Sequence, residues 1–126
     1  TIFDTIQSID REKLIDLIST QIKLGQIRTT SFFLQINIGK EEQKSGITPE
    51  DTKYFYQYAT NKGLKIKGLM CIPPINQDPE IFFKKMDELR CKIDKDLILS
   101  MGMSSDYEIA LRCNTDLLRI GSKIFL

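Results

Sequence analysis

Two short stretches most constrain how this chain can fold. TPED (Thr48–Asp51) and Asp78–Pro79 each put a capping side chain directly before a proline. Proline suits the first turn of a helix, where its missing N–H has no intrahelical partner anyway. Each pair therefore predicts a helix start, and each follows an apolar run and a polar loop. SFFLQINI (Ser31–Ile38) and GKEEQKSGI precede the first pair, and LKIKGLMCI (Leu64–Ile72) and PPINQ the second. Tyr54, Phe55, Tyr58 and Ala59 then line one helical face, which Gly63 ends. Phe82, Met86, Leu89 and Ile93 repeat at helical spacing in the next helix.

The same alternation extends both ways. Ile2 to Ile9 is strand-like. Asp10 is placed to cap a helix with Leu14, Leu17, Ile18 and Ile22 on one face and Gly25 as its stop. DLILSMGM (Asp96–Met103) predicts a fourth strand, Asp106 to Cys113 a short helix and DLLRIGSKIF (Asp116–Phe125) a fifth strand. The order βαβαβαβαβ with short connections implies a parallel α/β sheet covered by helices. Two folds satisfy it: an open, doubly wound five-stranded sheet, or part of a (β/α)8 barrel, which typically takes ~250 residues. At 126 residues, length alone favours the open sheet. In either fold, ligands bind beyond the carboxyl ends of the strands. That end gathers residues 37–45, 71–77, 102–105 and 121–123.

Composition narrows the chemistry. The length suits one domain, and the 41% apolar and 28% charged fractions are those of a soluble globular protein. A net charge of +1 argues against a general nucleic-acid or membrane-surface binder, and no apolar run approaches the length of a membrane span. Cys71, Cys91 and Cys113 are widely spaced, without a C-x-x-C pair, which fits reduced thiols in a cytoplasmic protein. There is no histidine, so the commonest general base, the Ser/His and Cys/His pairs and most zinc sites are excluded. Proton chemistry here would fall to Lys, Asp, Glu, Tyr or a cofactor.

Two segments could hold a ligand. In SMGMSSDYEIA (Ser100–Ala110), Ser105 and Glu108 match a capping box, which explains part of the stretch, while Gly102 and Ser104 are left for close backbone approach or an anion. In LRIGSKIF (Leu118–Phe125), Arg119 interrupts an apolar strand, and a cation there needs a partner. Arg119, Gly121 and Ser122 beside Gly102 and Ser104 would form an anion cradle for phosphate or carboxylate. The bland alternative is an arginine satisfied by a neighbouring carboxylate, followed by a glycine turn. NIGKEEQKSG (Asn37–Gly46) reads as a solvated loop or as a lid over the strand ends.

SID (Ser8–Asp10), LQINIGKEEQKSGI (Leu34–Ile47), GLMCIPP (Gly68–Pro74), LSMGMSSDYEIAL (Leu99–Leu111) and LRIGSKIF, in that order, resemble the pyridoxal-phosphate homeostasis protein family (YggS/PROSC). The resemblance implies the fold of the alanine racemase N-terminal domain, and residues 1–126 as a single incomplete (β/α)8 TIM barrel of about strands four to eight. It implies pyridoxal 5′-phosphate (PLP) as the ligand. Ser104, Gly121 and Ser122 are then phosphate ligands, Ile120 adds a backbone N–H, and Arg119 faces the pyridine nitrogen. A cation at that nitrogen keeps the ring unprotonated and a poor electron sink, in keeping with a non-catalytic carrier or regulator.

There are departures. No lysine here matches the family's Schiff-base lysine, which lies on its first barrel strand. Lys123 stands where the family usually has a small residue, and Asn114 where it often has glycine. The chain, beginning at Thr1 in a strand-like segment, is expected to be truncated and to expose two sheet edges. It would then be marginally stable, aggregation-prone, or dependent on a partner such as a complementing N-terminal fragment. Two other functions stay open. One is a racemase-like PLP enzyme, for which Tyr107 is the only nearby tyrosine. The other is a gene remnant that binds nothing. PLP is the expected partner, with neither nucleic acid nor membrane.

Overall fold

The computed structural model describes residues 3–125. The expected alternation is present: β1 (Thr5–Ile9), α1 (Glu12–Lys23), β2 (Ser31–Ile36), α2 (Thr52–Asn61), β3 (Ile66–Cys71), α3 (Pro79–Ile93), β4 (Ile98–Met103), α4 (Tyr107–Arg112) and β5 (Leu117–Arg119). All pairings are parallel, and the spatial order is β1-β2-β3-β4-β5. Each strand joins the edge made by the one before it. A doubly wound sheet reverses that order at a switch point. None occurs among the described strands, so the open-sheet alternative is excluded.

The sheet is also curled. The Ser100 hydroxyl on β4 donates to Oε1 of Gln7 on β1 at 2.6 Å. Strands lie ~4.8 Å apart, so three spacings in a flat sheet would hold these residues ~14 Å apart. Two short side chains meet across that span only if the sheet bends into an arc, which is half of a barrel. Register assigns the faces. Gln35, Met70, Ser100 and Leu117 are successive Cα partners and therefore share the concave side with Ser100. Phe33, Gly68 and Ile98 form the next row. A Cβ on Gly68 would come within 2.7 Å of the Phe33 ring, so glycine is required where that ring crosses the strand. The main core lies on the convex side, where Ile9, Leu34, Leu69, Leu99 and Met101 pack with Ile15, Phe83 and Met86 of the helices.

Local differences have physical reasons. Asp78 caps α3 as expected, accepting from the Glu80 N–H at 3.0 Å. Asp10 does not cap α1. Arg11 occupies that position, and Asp10 instead pairs with its Nε at 3.0 Å. Leu17 points outward, 59% exposed, while Ile15 is fully buried. Pro49 opens a 3-10 turn rather than α2 itself, and the Thr48 side chain caps nothing. Tyr54 stays exposed and Tyr58 packs only at the core's edge: their hydroxyls donate to Glu12 and Asp16 of α1 at 2.5 and 2.6 Å. That bond pushes the Tyr58 phenol up to about 12 and holds the Asp16 carboxyl below its ordinary value. β1 begins at Thr5, and Ile2, expected in this strand, lies outside the described residues. β5 is three residues long rather than ten, because its partner β4 ends at Met103, opposite Arg119.

Candidate functional site

β4 and β5 are adjacent, so the turns that leave them lie side by side. The turn after β4 is held by the chain itself. Gly102 has φ +106, and a Cβ there would lie 2.7 Å from Ala110 and 2.8 Å from Leu118. Its glycine is thus demanded by backbone shape and packing, not by close approach of a ligand. The expected Ser105–Glu108 capping box is not formed. Asp106 stands at the start of α4, and its Oδ1 accepts the Met103 N–H at 2.7 Å.

The turn after β5 is different. Ser104 Oγ accepts the N–H of Gly121 at 3.3 Å and that of Lys123 at 3.2 Å. A serine oxygen has two lone pairs and one O–H. With both lone pairs engaged, the hydroxyl is left to donate. The Ser122 hydroxyl has no hydrogen-bond partner among the described residues. A Cβ on Gly121 would meet nothing within 4 Å, so no packing contact requires glycine there. These groups border a cavity of about 430 Å³ lined by Met103, Ser104, Ser105, Arg119, Ile120, Gly121 and Ser122. The fold therefore brings all five sequence-derived site residues to one place.

Arg119 lies on the concave floor below this cavity. Its Nη1 donates to Ser100 Oγ at 2.7 Å and its Nη2 to the Cys71 carbonyl at 2.8 Å. No carboxylate pairs with it among the described residues, so the bland reading of an acid-paired arginine does not apply. Burial lowers its pKa from the ordinary value. Three strands thus contribute to one polar line, Gln7–Ser100–Arg119, across the concave face. Burial pushes the neighbouring Cys71 thiol up to about 12, so it is a packed thiol rather than a nucleophile.

The loop after β2 is built, not loose. Asn37 Oδ1 accepts the Glu41 N–H at 3.1 Å, Asn37 Nδ2 donates to the Glu41 carbonyl at 2.7 Å, and Lys44 Nζ donates to the Pro73 carbonyl at 3.3 Å. Sequence reasoning missed a second cavity of about 550 Å³ between α3 and the segments at residues 38–40 and 49–53, with Phe82, Leu89 and Ile93 among its apolar lining and Lys53, Lys85 and Lys92 among its charged lining. The lysines at 85 and 92 frame Leu89 along one helix face, which was the available signal. No group of three or more metal-ligating side chains occurs among the described residues, and no described helix is long and apolar enough to cross a membrane.

Known proteins share this sequence and arc. The chain is 35% identical over 129 residues to a pyridoxal phosphate homeostasis protein of Aquifex aeolicus. It is 38% identical over 125 residues to one of Helicobacter pylori. Each alignment takes in 95% of this chain and 56% of the relative. The chain is a relative of the pyridoxal phosphate homeostasis proteins. It spans a little over half the length of these curated relatives. PipY of Synechococcus elongatus has been solved without PLP and with PLP bound. The two structures match at TM-scores of 0.82 and 0.74, with 27% and 28% identity, over 98% of this chain and 61% of PipY. The arc is therefore a five-stranded part of a TIM barrel, as the resemblance implied. No protein-family model matches the chain.

Proposed function

We propose that this chain forms the phosphate-binding side of a PLP site in a PLP homeostasis protein, and that it holds the cofactor without turning over a substrate. One observation carries the reading. Both lone pairs of Ser104 Oγ are taken by backbone N–H groups, so its hydroxyl is fixed as a donor at the border of a cavity that the open side of Gly121 also faces. Neutral donors around a space that admits close backbone approach suit phosphate oxygens. In this reading Ser104, Ser122 and the 120–122 backbone would hold the phosphate, and Arg119, which keeps guanidinium donors beyond the two given to Ser100 and Cys71, would face the ring nitrogen. PLP, when bound, supplies an aldehyde and a ring that can accept electrons. An arginine at the ring nitrogen, rather than an acid, weakens that second property.

Holding is favoured over catalysis by the lining itself. It offers hydroxyls, backbone groups and one arginine, none suited to taking a proton near neutral pH. Tyr107, the tyrosine a racemase-like reading would use, lies outside the lining and under the Lys123 side chain. The covalent lysine of the family is assigned, in this reading, to the part of the barrel that this chain does not span, the part a complementing N-terminal fragment would supply.

The test is calorimetric titration of the chain with PLP and, separately, with pyridoxal, which lacks the phosphate. PLP should bind and pyridoxal should not, and Ser104→Ala should weaken PLP about tenfold, the loss of one charge-assisted hydrogen bond. Equal binding of the two compounds, or PLP affinity indifferent to Ser104, would overturn the reading.

A further inference from the structure

The cradle lacks a committed counter-charge. A phosphate monoester carries about −1.5 to −2 charge at neutral pH, yet Ser104, Gly121 and Ser122 offer only neutral donors. Arg119 has two of its guanidinium donors engaged with Ser100 and the Cys71 carbonyl on the floor. The nearest acid in the neighbouring turn, Asp106, is engaged by the Met103 N–H.

Lys123 follows Ser122 directly, one residue beyond the cavity lining. Its own N–H donates to Ser104 Oγ at 3.2 Å, which places its backbone beside the same oxygen that faces the phosphate space. The residue is exposed, and its ammonium pairs with no carboxylate among the described residues. The ammonium lies over the Tyr107 ring, 5.8 Å from the centroid. That is close to the ~6 Å limit for a cation over a ring, so the contact is weak and readily given up. Four flexible methylenes carry the ammonium, and the backbone N–H of the same residue already touches Ser104 of the cradle.

We propose that Lys123 is the mobile cation of this site: it leaves the Tyr107 ring and closes on the phosphate, selecting dianionic phosphate monoesters over their dephosphorylated forms. The proposal rests on the phosphate-cradle reading above and goes beyond it by assigning the charge that the cradle itself lacks. Lysine at this place makes binding depend on ionic strength in a way that hydroxyl and amide donors alone do not.

The experiment compares wild-type chain, Lys123→Gln and Lys123→Arg by titration with PLP, pyridoxal and inorganic phosphate at low and high salt, with thermal melts of all three proteins. Lys123→Gln should melt with wild type, bind PLP and inorganic phosphate about three- to tenfold more weakly, and lose most of the salt dependence. Lys123→Arg should restore both. Tyr107→Leu, which removes the resting place and not the charge, should leave phosphate affinity unchanged or raised. If the wild type binds PLP and Lys123→Gln binds it equally well with the same salt response, Lys123 is not the counter-charge, while the cradle stands. If the wild type binds neither PLP nor inorganic phosphate, both the cradle and this assignment fall.

Discussion

The carboxyl ends of β4 and β5 each carry a glycine, Gly102 within the last residues of β4 and Gly121 just past β5, and they lie against each other, yet the chain uses them in opposite ways. After β4 every demanding position is met from within. Gly102 takes a backbone shape that other residues resist, its missing side chain makes room for Ala110 and Leu118, and Asp106 ties the turn back to Met103. After β5 nothing presses on Gly121, Ser122 keeps a free hydroxyl among the described residues, and Ser104 reaches across from the first turn to hold the second. The first turn is scaffold. The second has the marks of a surface left for something else to complete.

The largest expected effect is at the scaffold. Gly102→Ala combines an unfavourable φ with two sub-van-der-Waals approaches, so it should cost about 3 kcal/mol, enough to lower the melting midpoint by ~10 °C in a chain of this size. A melt within a degree or two of wild type would mean that this turn is as open as its neighbour and would dissolve the contrast. Asp106→Ala comes next. It removes the acceptor for the Met103 N–H at the foot of α4, and should cost about 1 kcal/mol, read by urea unfolding with an unchanged m-value.

Ser104→Ala sits between the two turns and so sharpens the comparison. It frees the Gly121 and Lys123 N–H groups, both exposed enough for water to replace the lost acceptor, and its stability cost should stay under about 0.5 kcal/mol. Its effect on PLP affinity should be about tenfold. A large stability loss with little effect on ligand would reassign Ser104 to the scaffold.

How much of this could be read beforehand differs between the same two regions. Strand and helix order was legible because caps, prolines and glycine stops act locally: Asp78–Pro79 caps α3 as a four-residue rule says it should. Which face of α1 turns inward was not, since Leu14, Ile15, Leu17, Ile18 and Ile22 leave several apolar stripes, and only the packed sheet chooses Ile15 over Leu17. The length of β5 was not legible either. Apolar residues recur as far as Ile124 and Phe125, but a strand needs a partner, and β4 has ended by then. The barrel arc came from motif resemblance, while its physical signature is a contact 93 residues apart in sequence, Gln7 to Ser100. The two glycines looked alike in MGMSS and RIGSK. Their difference lies in what surrounds them, which no local pattern records.

That difference gives the smallest stability effect and the sharpest test. Gly121 has ordinary backbone geometry and empty space where a Cβ would go. Alanine there restricts the unfolded chain without straining the folded one, so Gly121→Ala should stabilise by about 0.5 kcal/mol. In the proposed cradle the same methyl group would narrow the space beside the 120–122 backbone, and PLP affinity should fall. A variant that melts higher and binds worse is what a site left open by its own scaffold produces. A variant that melts lower would show that Gly121 is required by the fold, as Gly102 is, and the two turns would no longer differ in kind.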